Sequence, residues 1–280
     1  MAQSKTGLDA LTPVDGLQVK LTGGVLSVTL DRPDSLNSLT PEVLAGVADA
    51  FEAAAADPRV RVVRLGGNGR GFCSGAGIGK EETGDGHNPM DTLLHGNRAI
   101  QAIVAMPRPV VAVVHGPTAG IGVSLALACD LVLASTEAYF LLAFTKIGLM
   151  PDGGTTALVA AAIGRARAMK MALLAERLPA ADACEHGLIA AVYPPEELAE
   201  EATKVIDRLL TGPAVAYART KSRSTRPPSG TWMPPCTARP PANTCCWTPP
   251  TWTKASRPSR NAAPPSSPTP ERSSPSHRRT

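Results

Sequence analysis

Apolar and polar residues alternate from Leu17 to Pro33, in LQVKLTGGVLSVTLDRP, on either side of the pair Gly23-Gly24. Alternation puts every second side chain on one face, so the segment predicts two strands, and the glycine pair predicts a hairpin between them. The period lengthens in TPEVLAGVADAFEAAAADP, where apolar residues recur at intervals of three and four. With Thr40 at the N-cap and Pro41 at the first helical position, this stretch predicts a helix. Unbroken apolar runs in VRVVRLGG and PRPVVAVVHG predict buried strands, and HNPMDTLLHGNRAIQAIVAM between them predicts a helix. Further on, the pattern predicts a short strand at Leu131–Ala134 and a helix near Gly154–Ile163. More helices are expected in ARAMKMALLAE, PAADACEHG and PEELAEEATKVIDRLLTG. Strands alternating with helices predict an α/β body with a mainly parallel sheet.

Helical periodicity ends after YARTK. From Ser222 onward there are nine Lys or Arg against one acid, Glu271, and 14 of the chain's 27 prolines. Prolines on that scale exclude long helices, and the few apolar residues cannot offset the entropy of ordering. The reading is therefore a flexible N-terminus over 1–14, a folded domain over 15–221 and a disordered Pro/Ser/Arg-rich tail over 222–280. GC-rich codons for this tail, read from the third base of each, give a proline-poor peptide with helical apolar spacing. The tail is thus expected to arise from a reading-frame shift near Lys221.

The split also changes the meaning of the charge. The whole chain carries +4, yet the first 221 residues hold 19 basic and 23 acidic groups. A mildly acidic body argues against nucleic acid as a partner, and the tail's arginines lack interleaved aromatics and amphipathic spacing. The longest apolar run, Pro109 to Cys129, is broken by His115, Gly116, Pro117, Gly120, Gly122 and Ser124, so no membrane span is expected. The opening residues have no apolar secretory core, and the expected location is cytoplasmic. Cys73, Cys129 and Cys184 lack paired spacing and read as unpaired core thiols; no metal site is expected.

Candidate chemistry lies in a repeated event, strand then glycine-rich turn, found at LGGNGRGFCSGAGIG and at VVHGPTAGIGVSLA. Two such turns can bring backbone N–H groups to one ligand. The first has superficial dinucleotide spacing, but it is not a short βα turn near the N-terminus with a ribose-binding acid on a following strand.

The segments LDRPDSLNSLT, GFCSGAGIGK, AVVHGPTAGIGVSLALACDLVLAS and FTKIGLMPDGGTTALV resemble, in order and spacing, the enoyl-CoA hydratase/isomerase (crotonase) family. RARAMKMALLAERLPAADACEHGLIAAVYPPEEL continues the resemblance, which covers roughly residues 15–220. It implies a crotonase-like spiral of ββα units, assembled as a homo-trimer or a hexamer. It also implies an acyl-CoA thioester as substrate, with no separate cofactor, since coenzyme A is part of that substrate. The thioester oxygen would sit in an oxyanion hole formed by the N–H groups of Ala76 and Ile121, the latter replacing a usual glycine. Coenzyme A contacts would fall on Ser35 and Leu36, and on Ala76, Gly77, Ile78 and Gly79.

The two glutamates of family hydratases map onto Ser124 and Phe144, neither of which is a general base at neutral pH. Asp152 remains, at a place where some family isomerases and dehalogenases carry their working aspartate. Partial burial against Phe144 and Leu149 would raise its pKa; it could equally cap a helix starting at Gly153. His87 and His95 read as surface residues, His115 as a hydrogen-bonded core residue, and Glu81 and Glu82 as solvated charges. The sequence thus favours double-bond isomerisation over hydration. The alternative is a non-catalytic acyl-CoA-binding relic that has lost its carboxylates and C-terminal helices.

Overall fold

The computed structural model describes residues 7–77 and 89–224, all within one unit, Met1–Trp232. The predicted hairpin forms from β1 (Leu17–Thr22) and β2 (Val25–Leu30), with Leu17 opposite Leu30. Gly23 and Gly24 both take positive φ, 58° and 87°, which is what the tight connection requires. Helix α1 (Pro41–Ala56) starts where expected, and the Thr40 hydroxyl accepts the Val43 N–H at 3.3 Å.

Strand β3 (Val62–Gly67) lies parallel to β2, and β4 (Val110–Val114) lies parallel to β3. Helix α2 (Pro89–Ala105) precedes β4 in the chain. Strand β5 (Pro117–Ala119) then leads into helix α3 (Ile121–Leu127). Next come β6 (Leu131–Ser135), β7 (Tyr139–Leu141) and a 3-10 turn over Ala143–Ile147. Helix α4 (Thr155–Leu174) joins two predicted helices across a break at Gly164, whose φ of 77° and ψ of 159° are not helical. Strand β8 (Leu178–Pro179), helix α5 (Ala180–Glu185), β9 (Ala191–Tyr193), helix α6 (Pro195–Thr211) and helix α7 (Ala214–Ser224) complete the order.

Six strands form the main sheet in the order β1-β2-β3-β4-β6-β9, parallel except for the opening hairpin. A second sheet, β5-β7-β8, was not legible in the sequence because its strands are two or three residues long. It continues beyond β4 and β6 and carries the chain from the main sheet into the turns described below.

The two faces of the main sheet are covered differently. On one face, Leu26, Val63, Leu65 and Ala112 pack in a core with Leu44, Val47 and Phe51 of α1 and with Val123 and Leu125 of α3. Burying each large side chain of this kind contributes about 1.5–3 kcal/mol. On the other face, Val62, Val111, Val113 and Leu133 meet Leu198, Ala202 and Ile206 of α6, one stripe of that helix at a spacing of four.

Two boundaries differ from the sequence reading. Residues 7–14 are not a loose segment: Gly7–Ala10 is a 3-10 turn, Leu8, Leu11 and Val14 pack against the core, and Asp9 pairs with Arg59 at 2.9 Å. At the other end, α7 runs three residues past Lys221. The Lys221 side chain is buried, pairing with Asp130 at 2.8 Å and donating to the Ile103 carbonyl at 3.2 Å. The anchor ties α7 to the end of α2 and to Asp130 just before β6, and helical order follows it to Ser224. Residues 225–280 lie outside the described residues, and with them almost the whole of the expected tail. No described helix is long and apolar enough to cross a membrane.

Candidate active site

The two glycine-rich turns lie side by side. Cys73 and Thr118 form a parallel bridge, with Cys73 N–H on the Pro117 carbonyl at 3.1 Å and Ala119 N–H on the Cys73 carbonyl at 2.8 Å. On its other side the first turn is stitched to Leu39, which donates to the Gly75 carbonyl and accepts from the Gly77 N–H. The Gly77 N–H is thus used by Leu39, and the Gly75 N–H faces Cys73 Sγ at 3.4 Å. The Ala76 N–H itself has no partner among the described residues, and neither has the Ile121 N–H.

Glycines make this approach possible. A Cβ on Gly75 would lie 3.1 Å from the Ala119 carbonyl oxygen, and one on Gly122 would lie 2.8 Å from both Cβ and Sγ of Cys73. Gly75 and Gly120 adopt φ of 101° and 53°; with ψ of −129°, Gly120 occupies a region open only to glycine. Ile121 is therefore the first residue of α3, and the conformation of Gly120 sets the direction of its N–H. The branched side chain of Ile121 is buried, and Gly96 of α2 accommodates it: a Cβ there would come within 2.4 Å of Ile121 Cδ1.

Segment 32–38 supports the first turn from below. Leu36 and Asn37 both take left-handed conformations, φ 56° and 58°. Asn37 is buried with its amide fully used: Oδ1 accepts Arg32 N–H at 2.7 Å, and Nδ2 donates to the carbonyls of Asn68 and Gly71 at 2.8 Å each. Ser74 ties this segment to the turn, its N–H on the Leu36 carbonyl and its hydroxyl on the Ser35 carbonyl. Ser35 and Leu36, the expected coenzyme A contacts, thus stand beside Ala76 and Gly77. Ile78 and Gly79 lie outside the described residues, as do Glu81, Glu82 and His87.

Neither Ser124 nor Phe144, expected at the two glutamate positions, offers a base. Ser124 is fully buried, its hydroxyl 3.0 Å from Thr155 Oγ1 and 3.3 Å from the Asp152 carbonyl. Phe144 is buried too, and its ring tip would lie 4.0 Å from a Cβ on Gly120. It forms an apolar wall next to the second turn.

Asp152 does not cap a helix. Helix α4 begins at Thr155, and Gly154 takes the N-cap place with φ of 76° and no side-chain bond. The Asp152 carboxyl is partly buried, with Oδ1 shielded from water and without a hydrogen-bond partner among the described residues. Burial pushes its pKa up from 3.8 to about 6, opposed by a weaker hydrogen bond from its own backbone N–H. Leu149, expected to cover it, is instead exposed; the apolar side chain against the neighbouring Gly153 is Ile100.

Of the histidines, His115 is only partly buried and uses Nε2 on the Gly69 carbonyl at 2.9 Å, and His95 lies partly exposed on α2. Cys73 and Cys129 are buried free thiols and Cys184 is half-buried. Asn37, Gly96, Gly153 and Thr155 escaped the sequence reading. The paired glycines of DGGTT held the signal for the last two, since consecutive glycines before a helix mark backbone that no other residue could follow.

A parallel sheet with a second short sheet, two apposed glycine turns and two N–H groups without a partner among the described residues make up the candidate site. The chain belongs to the enoyl-CoA hydratase/isomerase family, whose model matches residues 20–231. It is 39% identical over 195 residues to the 1,2-epoxyphenylacetyl-CoA isomerase of Escherichia coli K12, covering 68% of this chain and 74% of that one. It is 38% identical over 207 residues to a probable enoyl-CoA hydratase of Rhodobacter capsulatus, covering 73% and 79%. Among solved structures, an enoyl-CoA hydratase from Mycobacterium avium subsp. paratuberculosis K-10 superposes with a TM-score of 0.71 at 63% identity, covering 76% of this chain and 82% of that one. The fold is the crotonase-like α/β fold expected from the sequence.

Proposed function

We propose that the chain isomerises the double bond of an enoyl-CoA thioester, with the N–H groups of Ala76 and Ile121 as the oxyanion hole and Asp152 as the proton carrier. The observation that carries this reading is the Asp152 carboxyl, partly buried, without a partner at Oδ1 among the described residues and raised to about 6 by burial, where Ser124 and Phe144 offer no other acid. A carboxyl of this kind is ionised at pH 7 yet close enough to its pKa to hold a proton between two steps.

With a 3-enoyl thioester, the Asp152 carboxylate takes a proton from C2. The C–H electrons pass into a dienolate whose negative oxygen faces the two N–H donors. The same carboxyl returns the proton to C4, leaving the double bond between C2 and C3. No water is consumed, so one acid–base group suffices. Fixed donors cost no reorganisation as charge develops, and each such donor contributes about 10²–10³ in rate. Ser35, Leu36, Ala76, Gly77, Ile78 and Gly79 would bind the coenzyme A portion, largely through main chain.

Homo-trimer or hexamer assembly in the cytoplasm belongs to the same reading. Ile147, Leu149, Met150, Leu173 and Leu174 are exposed, and a partner subunit would cover apolar side chains of this kind. Mixing the full chain separately with 3-enoyl-CoA and 2-enoyl-CoA, and following absorbance of the conjugated thioester, tests the activity. A rise with the first substrate and no change with the second is expected. A fall with the second would instead indicate hydration, and binding without turnover would support the relic.

A further inference from the structure

We propose that Ser124 and Thr155 are positioning residues: their hydroxyls hold the main-chain carbonyl of Asp152 and so fix the place of its carboxyl. A residue as small as serine at 124 is then a condition for an acid to work at 152. The proposal rests on the reading of Asp152 as the proton carrier.

The geometry concentrates on one carbonyl. The Asp152 oxygen accepts the Thr155 N–H at 3.1 Å, the Thr155 hydroxyl, and the Ser124 hydroxyl at 3.3 Å. Because Thr155 gives its only hydroxyl proton to that oxygen, Ser124 donates to Thr155 Oγ1 at 3.0 Å or to the carbonyl itself. Either way both hydroxyls are committed, and both residues are fully buried. The carboxyl has no such hold from another element: Oδ1 has no partner among the described residues, and the bond the carboxyl does accept comes from its own backbone N–H. Its place is therefore inherited from the main chain of residues 151–154.

Packing adds the second half. At Gly153, φ is 59°, and a Cβ would lie 2.8 Å from Ser124 Oγ, 2.9 Å from Ser124 Cβ and 2.6 Å from Ile100 Cδ1. The chain just after Asp152 thus passes directly against the Ser124 side chain. A glutamate at 124 would need the volume that Gly153 now fills. An acid at 124 and this course of the 152 loop compete for one space, so Ser124 belongs to the arrangement that replaces the hydratase one.

The test uses the full chain with Thr155→Val, which keeps the shape and removes the hydroxyl, Thr155→Ser, which keeps the hydroxyl, Ser124→Ala and Ser124→Glu. Thermal unfolding checks each fold. Carbon-13 NMR of aspartate-labelled chain reads the Asp152 titration, its resonance assigned by its loss in Asp152→Asn, and kcat and KM for 3-enoyl-CoA are measured against pH. Thr155→Val and Ser124→Ala are expected to lower the titration midpoint by about one unit and kcat by about tenfold, with KM within about threefold, and Thr155→Ser to restore both. Ser124→Glu is expected to lose isomerisation without gaining hydration.

Folded Thr155→Val and Ser124→Ala chains with an unchanged midpoint would overturn the positioning role, even where Asp152→Asn is inactive. Full activity in Asp152→Asn would overturn the proton-carrier reading, while the NMR midpoints would still decide the positioning. A Ser124→Glu chain that both isomerises and hydrates would overturn the competition for space.

Discussion

The two halves of the candidate site are built on opposite plans. Around Gly75 and Gly120 the chain is held by main-chain bonds and by the closeness that glycine allows, and the groups offered are N–H donors that any residue but proline carries. Around Asp152 the chain is held by two side-chain hydroxyls, and the group offered is one particular carboxyl. The first half tolerates change in side chain but not in backbone; the second depends on named side chains. On the proposed function, the donor turns could stay fixed while the acid moved from one element to another, and Ser124, Phe144 and Asp152 would be one such arrangement.

Asp152→Asn should give the largest effect, removing the only proposed acid–base group. A loss of about 10²–10⁴ in kcat for 3-enoyl-CoA isomerisation is expected, measured by absorbance of the conjugated product. Stability should move the other way. In the parent, burial raises the folded-state pKa to about 6 from 3.8, so the folded form holds its proton longer than the unfolded chain. The resulting penalty is absent below both values, grows as pH rises between them, and reaches on the order of 3 kcal/mol above about pH 6. Urea unfolding of parent and variant should coincide near pH 3.5, with Asp152→Asn the more stable at pH 7.

Gly122→Ala attacks the other half. Its Cβ would press on Cys73 and push the turns apart, with an expected loss of about 10²–10³ in kcat from a misplaced donor and about 1–3 kcal/mol from overpacking. The same assays should show no shift in the Asp152 titration, which separates the halves.

Ile121→Gly is expected to be the mildest for chemistry. It keeps the N–H and removes a buried side chain, so stability should fall by about 2–5 kcal/mol while kcat per folded molecule stays within about threefold. A loss as large as that of Gly122→Ala would break the distinction between backbone and side-chain plans.

Period and punctuation made much of the body legible. The hairpin, α1 with its Thr40 cap, β3, β4 and the long helices follow from alternation, from spacings of three and four, and from Gly or Pro at their ends. What escaped follows from long-range contact. Strands β5, β7 and β8 are too short for any period, and they exist because Pro117, Tyr139 and Pro179 are brought together by the surrounding layers. The break at Gly164, by contrast, falls between the two helices that the sequence predicts, Gly154–Ile163 and ARAMKMALLAE. At the site, Ala76, Ile121 and Asp152 are candidates that the resemblance alone supplies. The bonds of Ser124 with Thr155 and Asp152 join segments 28 and 31 residues apart and leave no local pattern. The stabilising role of residues 7–14 depends on leucines that meet α1 only in the fold.

The fit between Ile121 and Gly96 couples two positions that are distant in the chain. A Cβ at 96 would lie 2.4 Å from the isoleucine's terminal carbon, so a side chain there requires that terminal methyl to turn away. A change at either position is therefore felt at the other, and the two are best varied together when the packing of α2 against α3 is redesigned.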